Sequence, residues 1–110
     1  MADAAQFQAR LDELRKQFVR RLSDYDEAIA TAWKAVLGAT TEGARTDGLT
    51  ALKFSAHKLS GSGSTFGFPA ITETAFALER HLSEQGAGEL GETGSLVQAL
   101  RKAVADARGG

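Results

Sequence analysis

The 110-residue chain has no cysteine. That excludes a disulfide framework, thiolate chemistry and a cysteine-ligated zinc site. It has a single proline, Pro69, so little interrupts helix formation. No stretch approaches the roughly 20 apolar residues that a membrane span requires. The opening "MADAAQFQARLDELRKQ" is polar and lacks the apolar centre of a signal peptide. Neither sign of charge is in excess: 13 basic residues face 14 acidic ones, for a net charge of −1. Such a balance offers no footprint for nucleic acid or a membrane surface. We therefore expect a protein of a reducing, cytoplasmic compartment. There is no G-x-x-x-x-G-K-[ST] phosphate loop, so no nucleotide site is expected.

What is present is helical periodicity in a chain of single-domain length, 1–110. Phe7, Leu11, Leu14, Phe18 and Leu22 recur at three- and four-residue spacing, which defines one helix face over about 4–22. A restart is read at "SDYDEA", where Asp24 and Glu27 stand in capping-box positions. Tyr25, Ala28, Ile29, Ala32, Trp33, Val36 and Leu37 then carry a second stripe over about 24–37. The polar run Ala39–Gly48 reads as a loop with a cap near Thr46 or Asp47. Further helices are predicted over about 47–65, 69–84 and 93–108. Gly67 would stop the third, and Pro69 would open the fourth. "EQGAGELGETG" reads as the loop before the last. There is no strand alternation and no internal repeat. The expected fold is all-α, an antiparallel up-and-down four-helix bundle with an additional N-terminal helix packed across one end or side.

One stretch, "HKLSGSGSTFG", sets glycines inside the third helix directly after a histidine. On a wheel of about 100° per residue, the apolar positions of this helix centre roughly 140° from His57. His57 therefore points outward. Lys53 and Phe54 lie one turn before it, Ser60 and Gly61 one turn after, and Ser64 two turns after. Gly61 and Gly63 each forgo about 1 kcal/mol relative to alanine within a helix. A linker would explain them, but a linker would not continue the apolar stripe through Leu59, Gly63 and Phe66. Gly63 falls on the core side, where it could let a neighbouring helix come close. Gly61 falls on the His57 side, where a larger residue would cover the ring.

A metal site needs more ligands than this pattern gives, because the second histidine, His81, lies on another helix and reads as a surface or boundary residue. Acid–base catalysis asks for an orienting partner, and no carboxylate is evident near His57 in the sequence. A nucleophilic imidazole needs less. Much of it is unprotonated near neutral pH, and it can accept a phosphoryl group if a partner supplies metal and geometry.

These residues resemble the signature of histidine phosphotransfer domains of bacterial two-component phosphorelays. The pattern reads His57, Leu59, Gly61, Ser62, Phe66 and Gly67, followed by Ala75, Leu78 and Glu79 on the next helix. The resemblance implies that His57 is the phosphoryl acceptor and donor, on the ring nitrogen farther from the backbone. It implies a carrier, not an enzyme, with no cofactor of its own and with Mg²⁺ brought by the receiver-domain partner. The donor would be an aspartyl phosphate of a receiver or a sensor kinase, and the acceptor a response-regulator receiver. Lys53, Lys58, Ser60, Gly61 and Ser64 would neighbour the phosphoryl group, and Phe54, Gly61 and Ser64 would meet the receiver. Many members carry Lys three residues after the histidine. Here that position is Ser60, and Lys58 follows the histidine directly. A second reading is a helical module that binds a receiver or kinase without being phosphorylated. A third is a domain of a longer chemotaxis or hybrid kinase. A polar surface and a single motif lead to the expectation of a monomer.

Overall fold

The computed structural model describes residues 2–85 and 90–109. Among these it contains four α-helices, α1 (Ala2–Leu37), α2 (Glu42–Ser62), α3 (Pro69–Gln85) and α4 (Leu90–Ala107), with one 3-10 turn at Ser64–Phe66. The all-α expectation holds. The separate N-terminal helix does not exist: the helices expected over 4–22 and 24–37 are one helix of 36 residues. The physical reason is phase. Phe18, Leu22, Ile29, Ala32 and Val36 are all buried along one side of α1. The apolar stripe thus crosses Ser23–Asp24 without a shift, and neither glycine nor proline interrupts the backbone there.

At about 1.5 Å per residue, α1 is about 54 Å long, against about 31 Å for α2. It accounts for most of the molecule's 59 × 23 × 22 Å extent. Its first three turns therefore overhang the bundle, with Phe7 66% exposed, instead of packing across the end.

The expected loop Ala39–Gly48 is shorter than its composition suggests. Thr41 is the N-cap of α2, and its Oγ1 accepts a hydrogen bond from the Ala44 amide at 3.1 Å. That satisfies one of the amides orphaned at a helix start. The cap expected at Thr46 or Asp47 thus lies one turn inside the helix. The helix expected from 93 begins at Leu90, and part of the loop expected over Glu84–Gly94 falls outside the described residues.

The core is a single apolar cluster drawn from all four helices, with Leu22, Ile29, Leu52, Leu59, Ile71, Leu78, Val97 and Leu100 fully buried. Asp26 ties α1 to α4 by accepting from Arg101 Nε at 2.8 Å and Nη2 at 3.3 Å. This hydrogen bond raises the Arg101 pKa above its ordinary value. His81, expected at the surface or boundary, is buried and shares a 2.7 Å hydrogen bond with Thr93 Oγ1 on α4. Among the described residues no helix is long and apolar enough to cross a membrane.

Candidate functional site

The turn from α2 to α3 fixes how these two helices face each other. Gly67 has φ +89°, a left-handed conformation that side chains rarely adopt. Phe66 stacks on Phe18 of α1 with ring centroids 4.9 Å apart, which pins the 3-10 turn to the bundle. At Gly63 the helices touch: a Cβ there would lie 2.7 Å from Thr72 Oγ1 and 2.9 Å from Ile71 Cβ. Thr72 Oγ1 accepts from the Ser64 amide at 2.7 Å. Glu79 is two turns beyond Thr72 on the same side of α3. This register carries Glu79 to His57.

His57 is exposed, its side chain 71% accessible, as the wheel predicts. It is not solitary. Its Nδ1 lies 2.5 Å from Glu79 Oε2, whose side chain is 21% accessible. An ionised carboxylate only accepts, so Nδ1 carries the proton. Ser60 Oγ lies 2.8 Å from the His57 carbonyl and 3.3 Å from Glu79 Oε1, and can donate to either. The shorter contact is to the carbonyl, and donation to Glu79 is the alternative rotamer of the same hydroxyl. With Nδ1 occupied, Nε2 of the neutral ring holds the free lone pair, on the outer edge of an exposed imidazole. The carboxylate that sequence neighbours did not reveal comes from 22 residues away.

The remaining expected residues divide. Gly61 is open: a Cβ there would meet nothing within 4 Å. Lys53 and Ser64 are exposed. Lys58 turns from His57 towards Phe54, with its Nζ 4.8 Å from the ring centroid. Phe54 itself is 61% exposed and borders a groove of about 400 Å³ with Arg21, Asp24 and Tyr25. Phe76 on α3, one turn before Glu79, is a second exposed ring that sequence reasoning passed over. A hydrophobic residue left out of an otherwise regular core stripe was the available signal.

The candidate site is thus an exposed imidazole held by a carboxylate from the neighbouring helix of a bundle. The family model described as Hpt domain matches residues 13–110. The chain belongs to the Hpt domain family. Comparison with curated proteins and with solved structures gave no match. Hpt domains are phosphocarriers of two-component relays that interact with receiver domains and kinases. The motif around His57, Gly61 and Phe66 lies within the matched span.

Proposed function

We propose that this Hpt domain carries a phosphoryl group on Nε2 of His57, taking it from an aspartyl phosphate of a receiver domain or from a sensor kinase and passing it to a response-regulator receiver. The observation that carries this reading is the fixed imidazole: Nδ1 bound to Glu79, Nε2 turned outward, and open space at Gly61. In the accepting step the Nε2 lone pair attacks phosphorus. An N–P bond forms, the aspartyl O–P bond breaks, and the carboxylate leaves with its electron pair. The phosphorylated ring gains positive charge, and Glu79, bonded at Nδ1–H, opposes it. The donating step is the reverse with a second aspartate.

Among the described residues no cluster of three His, Cys, Asp or Glu side chains could hold a metal. Mg²⁺ would come with the receiver's acidic site, as the family resemblance implies. Lys53, exposed and one turn before His57, would steer that acidic site electrostatically. Phe54, Gly61, Ser64 and Phe76 would form the receiver-facing surface.

The test is transfer from a panel of phosphorylated receiver domains to the wild type and to His57→Gln. Acid-labile label on the wild type alone is expected, with unchanged helicity in the variant because position 57 faces solvent. Label on the folded variant, or none on the wild type from any receiver or kinase, would overturn the reading in favour of docking without phosphorylation.

A further inference from the structure

Two features of α1 remain unused by this function. The first is the overhang. Phe7 is 66% exposed and Leu14 36% exposed, while Leu11 and Asp12 on the other side of the helix face the 3-10 turn. The second is an apolar groove of about 730 Å³ between α1 and α2, floored by Ala28, Ala32, Ala35 and Ala51 and rimmed by Asp24, Glu27 and Asp47.

A single line joins them. Phe7, Leu14, Arg21, Ala28 and Ala35 recur every seven residues, and all five are exposed. A strict seven-residue repeat drifts about 20° per heptad around a straight helix. The line therefore begins on the bare face of the overhang and winds into the groove. This is the seam that a second helix follows in a left-handed coil.

We propose that the line is covered by α1 of a second copy of this chain, running antiparallel about a twofold axis near Arg21. The register places Phe7 of each copy over Ala35 of the other, and Leu14 over Ala28, large against small. In this register the overhang from Phe7 to Leu14 lies along the groove from Ala28 to Ala35, a run of about 10 Å at the helical rise. Their charges match as well. Arg10 flanks the overhang's apolar stripe, while Asp12 and Glu13 lie on its far side. Antiparallel pairing sets Arg10 opposite Ala32, and Gly48, whose Cβ would sit 3.3 Å from the Ala32 carbonyl, brings Asp47 alongside. Arg21 meets Asp24 across the axis, which offsets the approach of the two arginines. The contact is isologous and closes on itself. His57 stays free, because it reaches across to α3, although the seam at Arg21, Asp24 and Ala28 borders the groove beside Phe54 and would narrow the receiver-facing surface there. It departs from the sequence-based expectation of a monomer, and the two are told apart by mass in solution.

Sedimentation equilibrium of the full chain, from low micromolar to millimolar, tests the proposal. A mass approaching twice 11.6 kDa is expected as concentration rises. Phe7→Glu and Ala35→Glu, at exposed positions, should each weaken association by at least roughly tenfold while far-UV circular dichroism stays unchanged. Arg10→Glu and Asp47→Arg should each weaken it, and the double variant should recover it. A wild type that remains monomeric throughout would overturn the proposal. So would a dimer indifferent to Phe7→Glu and Ala35→Glu, or charge variants whose combination restores nothing.

Discussion

At the scale of the residue, the decisive pairing is His57 with Glu79. An unconstrained imidazole divides its proton between two nitrogens and rotates about its side-chain bonds. The carboxylate removes both freedoms, which is a positioning role. Glu79→Ala should slow phosphoryl transfer by about ten- to a hundredfold, the order expected when a reacting atom is misplaced. Receiver affinity should change little, because Glu79 is largely covered by its neighbours. Glu79→Gln should fall between, since an amide oxygen can still accept from Nδ1 but does not oppose the ring's charge. Single-turnover kinetics over a receiver titration separates rate from affinity. An unchanged maximal rate in Glu79→Ala would remove Glu79 from the mechanism. Gly61 gives a second expectation. Gly61→Leu should slow transfer by obstructing the partner, yet raise stability by up to about 1 kcal/mol through helix propensity, because a Cβ there meets nothing. A fall in denaturation midpoint would show hidden packing at that position.

At the scale of the element, two residues along α2 the sign reverses. A Cβ at position 63 would lie 2.8 Å from the Thr72 backbone nitrogen as well as against Ile71, and neither can swing away. Gly63→Leu should cost about 1–3 kcal/mol by overpacking, and even Gly63→Ala should lose stability despite its better helix propensity. Urea unfolding of both variants measures this, and a stabilised Gly63→Ala would mean that α2 and α3 separate readily there. This division between Gly61 and Gly63 was legible in the sequence, because the wheel already set one outward and one on the apolar stripe. The outward direction of His57 was legible for the same reason. The break in α1 was misread because Asp24 and Glu27 copy a capping box, whereas Asp26 shows what acids in this stretch do, pairing with Arg101 on α4. A cap signature ends a helix only where the apolar phase also ends. Glu79 was visible as part of the motif but not as a partner of His57. Its approach depends on the register of α2 against α3, which Gly63, Gly67 and the Phe18–Phe66 stack set in three dimensions.

At the scale of the whole molecule, the core and the proposed His57 site occupy separate surfaces of the same helices. Leu59 is fully buried while His57, two residues earlier, is exposed. Stability and transfer should therefore vary independently across a mutant set. Leu59→Ala should cost about 2–5 kcal/mol through lost burial and a residual cavity, and should leave the transfer rate of the still-folded fraction near wild type. His57→Gln, Glu79→Gln and Gly61→Leu should do the opposite, moving transfer while the midpoint stays or rises. The informative experiment measures both quantities on all of these variants at one temperature, well below each midpoint. Independence would mean that the bundle acts as a rigid mount, with the chemistry held by three or four side chains on its outer face. A proportional loss of rate with stability would mean that the imidazole is held by the packing beneath it, and that Glu79 alone does not fix the ring.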